Sequence, residues 1–137
     1  MSNATPETAP PTEAAWYSYA VVRAVPDVER AEFINVGVIL FVRTLHFLEA
    51  RIELVESRIR ALAPRLDIEE LRSHLETYAA IAQGQRDAGP IASFSQSERF
   101  HWLTSPRSTM IQTSPVHVGW CSDPETVIEH LMQRFVR

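Results

Sequence analysis

FINVGVILFVRTLHFLEARIEL, residues 33–54, decides the fold. Its first ten residues, Phe33–Val42, are apolar apart from Asn35. A run this apolar suits a central strand covered on both faces. Arg43 and Thr44 form a short link, and from Leu45 to Leu54 the period becomes two. Leu48, Ala50, Ile52 and Leu54 then face inward, with Glu49, Arg51 and Glu53 outward. Two strands joined by so short a link predict an antiparallel hairpin.

Working outward, Trp16–Val25 also reads as a strand. Tyr17, Tyr19, Val21, Arg23 and Val25 share one face, and Pro26 ends it. Asp27–Glu32 (DVERAE) is a charged connection suited to solvent. Downstream of the hairpin the period lengthens. Ser57–Ala63 predicts a short helix that stops before Pro64. Asp67 is placed to N-cap a longer helix, with Glu70 as its capping-box partner. Ile68, Leu71, Leu75, Tyr78, Ala79 and Ala82 form its apolar stripe, and Gly84 its C-cap.

Gln85–Pro90 reads as a loop. For 91–104 two alternatives stay open: a short helix capped by Ser95 or Ser97, or irregular chain. Ser105–Arg107 is a turn, and Ser108–Trp120 a fourth strand interrupted near Pro115. Asp123 and Pro124 start a last helix with Val127, Ile128, Leu131 and Phe135 inward. Arg134 and Arg137 complement its C-terminal dipole. The order β-β-β-α-α-(α)-β-α predicts an α+β fold: a mostly antiparallel sheet of about four strands with helices packed mainly on one face. Residues 1–15, rich in Ala, Pro, Thr and Glu, are expected to be a disordered tail, and 16–137 a single domain.

All 13 basic residues are arginine, with no lysine anywhere in the 137. This excludes Schiff-base and lysine-dependent phosphoryl chemistry. The four glycines form neither G-x-G-x-x-G nor a P-loop. A net charge of −4 argues against the broad positive field that non-specific nucleic-acid binding needs. The single cysteine, Cys121, fits a reducing compartment, and no secretory signal opens the chain. The longest apolar run, Val36–Val42, is far short of the roughly 20 residues of a membrane helix. A cytoplasmic protein without membrane or cofactor is the expectation.

Residues 99–123, RFHWLTSPRSTMIQTSPVHVGWCSD, mix Arg, His, Trp, Ser and Thr with apolar residues that belong near a core. Polar groups in such places need partners or a ligand. Arg107, Ser108 and Thr109 follow Pro106 in a turn that suits an anion, with Arg99 or Arg23 as a second fork. The plainer alternative pairs Arg107 with an internal carboxylate and uses both hydroxyls to satisfy the turn. Cys121 and His117 make a poor nucleophile pair, because four residues of strand separate them by ~13 Å. His117, Cys121 and Asp123 lack the spacing of a structural zinc site. Asn35 and Gly37 interrupt the apolar strand and point to a bulge or a close backbone approach, with Arg23 as Asn35's neighbour across the ladder. Trp16, Trp102 and Trp120 suit an interaction face, although burial of at least two of them is the expectation.

The same segments carry a resemblance. YSYAVVRAVPDVERAEFINVGVIL, Ala50–Ile52, AGPI at Ala88–Ile91 and ERFHWLTSPRSTMIQTSPVHVG resemble a bacterial family of uncharacterised single-domain proteins, across Trp16 to Arg137. Some members are encoded beside a HipA-like serine/threonine kinase, which implies an accessory or partner role. The family has no agreed activity, so the resemblance transfers no catalytic residues. It marks Arg23, Glu32, Asn35, Gly37, Arg99, Trp102, Pro106, Arg107, Ser108 and His117 as motif positions.

The leading expectation is a non-enzymatic interaction module with a protein partner, using Arg23, Asn35, Arg99, Trp102, Arg107, Ser108, Thr109 and His117. The alternative is a binder of, or enzyme for, an anionic small molecule or nucleotide phosphate around Arg107. Self-association is left open by both.

Overall fold

The computed structural model describes residues 14–137, so most of the expected tail lies outside the described residues. Strand β2 (Ile34–Val42) is the buried strand that its composition predicts. Val36, Ile39 and Phe41 enter one core, while Val38, Leu40 and Val42 enter another on the opposite face. It pairs antiparallel with β1 (Ala15–Ala24) on one side and β3 (Phe47–Ile52) on the other. The hairpin link is a single 3₁₀ turn, Arg43–Leu45, closed by His46 in the left-handed region.

The far side of β1 pairs with two short strands placed end to end, β4 (Ile111–Thr113) and β5 (His117–Cys121). The sheet therefore has five strands, all paired antiparallel, where one interrupted strand was expected over 108–120. Pro115 has no N–H to contribute, and the chain leaves the ladder around it. Ser114 bridges the gap: its N–H donates to Val21 O, and its Oγ accepts from Val21 N–H, both at 2.8 Å.

Three helices lie on one face: α1 (Glu56–Leu62), α2 (Ile68–Gln83) and α3 (Gln96–Thr104). The predicted stripe is buried except for Ala79, which is only partly covered, and Ile81 joins it, with Leu71 and Leu75 sealed completely or nearly so. Asp67 caps α2 by accepting from Glu70 N–H, and Gly84 ends it at φ 73°. The segment with two open readings is helical. Ser95 and Glu98 form a reciprocal capping box, each side chain taking the other's backbone N–H. Two 3₁₀ turns, Arg86–Ala88 and Pro90–Ser93, lead into it.

Helix α4 (Pro124–Phe135) covers the opposite face with Val127, Ile128, Leu131 and Met132. The "outward" side of β3 is therefore not a solvent face. Arg51 there ion-pairs with Glu49 on its own strand and with Glu125 and Glu129 of α4, at 2.8, 3.0 and 3.4 Å. The last turn of α4 is tied by Asn35, whose Nδ2 donates to Phe135 O, and by Arg58, which donates to Val136 O. Arg137 pairs with Glu53 and Glu129.

Beneath α4 the Tyr17 hydroxyl has its pKa pushed up to about 12, chiefly by burial and then by Tyr19 and Cys121 beside it. Above pH 10 the unfolded chain releases this proton while the folded chain keeps it. Stability is therefore expected to fall between pH 10 and 12, by up to about 1.4 kcal/mol per pH unit. Urea midpoints measured over that range should fall less steeply for Tyr17→Phe; parallel slopes would remove Tyr17 as the cause.

Candidate functional site

Arg99 stands on the first turns of α3 and reaches back to the end of α2. Its guanidinium donates to Phe94 O at 2.6 Å and to Ala82 O at 3.2 Å, and the residue is only 9% exposed. Ala82 O belongs to the last turn of α2, where carbonyls lack helical donors. Arg99 is thus a buried clamp between two helices, with its fork closed to an outside ligand.

Arg107 leaves the SPRST turn and folds onto the same layer. One terminal nitrogen donates to Tyr78 Oη at 2.5 Å, and the other to Trp102 O. The guanidinium carbon sits 4.3 Å from the Trp102 ring centroid and 5.8 Å from that of Tyr78. The internal carboxylate expected for Arg107 is absent, and its fork is engaged by the protein's own hydroxyl and carbonyl. Ser108 and Thr109 are exposed, and Thr109 Oγ1 donates to Ile111 O within the turn.

Tyr78 and Trp102, the two aromatics that Arg107 touches, form part of the wall of a cleft of about 420 Å³ between α2, α3 and the start of β4. Tyr78, Trp102, Met110 and Ile111 supply its apolar surface, with His74, Thr77 and Thr109 also lining it. A volume of this order accepts a large side chain or a small ligand. Sequence reading placed Tyr78 in the core stripe of α2. The signal for more was its hydroxyl, since a buried Tyr needs a partner for that group.

A second cleft, of about 440 Å³, lies between Pro26–Glu32 and Leu62–Leu66. The charges of its 26–32 side are engaged within that loop, while Arg65 on the other side is exposed. Arg30 pairs with Glu32 at 2.7 Å, and Asp27 accepts from the N–H groups of Glu29 and Arg30. This is the solvated connection that the sequence predicts.

Arg23, Asn35 and His117 lie on the other face of the sheet, beside α4. Arg23 stands opposite Asn35 across a bulge in the β1–β2 ladder and opposite Gln112 on β4. Its guanidinium lies 4.2 Å from the Phe33 ring centroid. His117 is exposed and packs its ring against Tyr19 at 5.4 Å, and Tyr19 packs against Phe135 at 6.0 Å. The sheet therefore divides the predicted residues into two sets. Arg99, Trp102, Arg107, Ser108 and Thr109 belong to the α2–α3 side; Arg23, Asn35 and His117 belong to the α4 side.

Cys121 is fully buried, and burial pushes its thiol pKa up, away from the nucleophilic thiolate. Among the described residues no three His, Cys, Asp or Glu side chains are grouped for a metal ion. No described helix is long and apolar enough to cross a membrane. Trp16 and Val118, half exposed, and the partly buried Trp120 lie near one another at the β1–β5 end of the sheet.

These features define a small α+β domain: one antiparallel sheet between a three-helix layer and a single helix, with an aromatic cleft in the thicker layer. Residues 19–136 match the family described as protein of unknown function DUF3037, and the chain belongs to that family. No curated protein and no solved structure matches it.

Proposed function

We propose that the domain is a non-enzymatic interaction module that takes a large apolar side chain of a partner polypeptide into the cleft beside Trp102. The observation that carries this reading is the cleft's wall. Trp102 is held from one side by the Arg107 guanidinium, and Tyr78 is fixed by the same group. A rigid aromatic wall loses little entropy on binding, and anchoring residues of this type dominate the energetics of interfaces. Arg107 acts here as a strut, since its terminal nitrogens are spent on Tyr78 and Trp102. The HipA-like kinase implied by the family resemblance is the first partner to test.

Thr77 gives a clean probe. It is exposed on α2, lines the cleft and makes only a local bond to Ser73 O. Thr77→Arg places a long charged side chain at the cleft without touching the core. A displayed peptide library, selected on the wild-type domain, should enrich sequences with one large apolar anchor. Those peptides, and a co-expressed HipA-like kinase, should bind Thr77→Arg at least about tenfold more weakly, a loss of about 1.4 kcal/mol. The melting temperature should not change. Equal binding by both forms, or no enrichment on the wild type, would overturn the reading.

A further inference from the structure

Arg23 is the exception among the arginines. Among the described residues, every other arginine bonds a carboxylate, hydroxyl or carbonyl, or is exposed as Arg65, Arg86 and Arg134 are. Arg23 is partly buried and its side chain makes no hydrogen bond, and of its nitrogens only Nε is shut away from water. Arg99 Nε is also without a partner, but both terminal nitrogens of Arg99 are bonded. Beside Arg23, the Asn35 Oδ1 is equally sealed and has no donor. A stack on Phe33 returns roughly 0.5–2 kcal/mol to a guanidinium, but it accepts none of its protons. The terminal nitrogens are not sealed, so the fork is open to a partner from solution, while the buried Nε–H without an acceptor is costly.

The sheet frames this guanidinium between two carboxamides. Asn35 on β2 and Gln112 on β4 stand in register with it, one on each side. Asn35 is oriented by its bond to Phe135 O, and Gln112 by its bond to Thr109 O. A fork of N–H groups beside a second amide donor is the set that holds an oxygen-rich anion. No carboxylate of the described residues neutralises Arg23. Arg134, on the last turn of α4 and packed on Phe135, adds a second unpaired cation on this side.

We propose that the Asn35–Arg23–Gln112 rung binds an oxyanion, a phosphoryl or carboxylate group. Arg23 supplies the fork and Gln112 an amide donor, with Asn35 flanking the fork in register on β2. The exposed Phe33 ring offers an apolar flank to whatever carries the anion. This site lies across the sheet from the Trp102 cleft, so either can fail without the other.

The Arg23 Nε–H resonance is the direct probe, followed by nitrogen-15 NMR on the full chain. Titration with inorganic phosphate and with acetate should shift it saturably with at least one of the two, and which one responds identifies the source. Sodium chloride at matched ionic strength should leave it in place. No saturable shift with either anion, or the same shift with chloride, would overturn the proposal. In Arg23→Gln, which lacks that Nε–H signal, the side-chain amide signal of Gln112 should no longer respond to the anion that shifts it in the wild type. Gln112→Glu keeps the test independent of that variant's folding. Its carboxylate supplies Arg23 with an internal counter-charge, so the titration should weaken by about tenfold or more. A folded Gln112→Glu chain that still titrates like the wild type would contradict it.

Discussion

Gly37→Val is expected to destabilise the domain by about 3 kcal/mol, the upper end of ordinary overpacking. A methyl group built at Gly37 would stand 2.6 Å from the backbone oxygen of Arg51 and 2.7 Å from Ile52 Cδ1. The Ile52 side chain can turn away. The Arg51 oxygen cannot, because it belongs to β3, whose ladder with β2 runs from Gly37↔Ile52 to Val42↔Phe47. Relief therefore needs the hairpin to open at the place where β2 also bulges against β1. Urea denaturation measures the loss, and Gly37→Ala should fall between wild type and valine. A valine variant within about 0.5 kcal/mol of wild type would mean that the two strands do not approach so closely.

Arg107→Met is expected to cost about 3 kcal/mol. Methionine keeps the apolar stem but leaves the Tyr78 hydroxyl without its donor, a loss of about 1–3 kcal/mol when buried, and the Trp102 carbonyl with the Ser105 N–H alone. Tyr78 is 8% exposed, so water offers little replacement. The stack over Trp102 is lost as well. Arg107→Lys should recover only part, because one ammonium cannot reproduce a fork shared by two acceptors. Denaturation with Trp fluorescence separates this from an anion-clamp role. A clamp variant would keep its stability within about 0.5 kcal/mol and lose only ligand affinity.

The hairpin at residues 33–54 was legible because its two halves differ in period, and period reports burial directly. The α4 cap at Asp123–Pro124, the α2 caps and the buried stripes followed from local chemistry in the same way. Gly37 was readable as a close backbone approach, although its partner, the Arg51 oxygen, was not. Other features rest on contacts distant in sequence. Ser114 completes the ladder opposite Val21, 93 residues away, and nothing local distinguishes it from a turn serine. The charged side of β3 reads as a solvent face until α4 brings Glu125 and Glu129 to Arg51.

The candidate site was legible as a list of unusual residues but not as an arrangement. Arg23, Asn35, Arg107 and His117 share motifs in the chain, yet the sheet stands between Arg107 and the other three. The cleft itself drew on Tyr78, Met110 and Ile111, which are core-type residues by composition. Only the tertiary packing of α2 against α3 leaves a hollow there.

The most direct test of the Trp102 cleft uses the three indole N–H signals of Trp16, Trp102 and Trp120, assigned in a nitrogen-15 spectrum. A peptide selected on the wild-type domain is titrated in. Binding in the cleft predicts that the Trp102 indole shifts and saturates with the bound fraction, while Trp16 and Trp120 stay in place. Shifts at Trp16 and Trp120 with Trp102 unmoved would contradict it and put the partner on the β1–β5 end of the sheet instead.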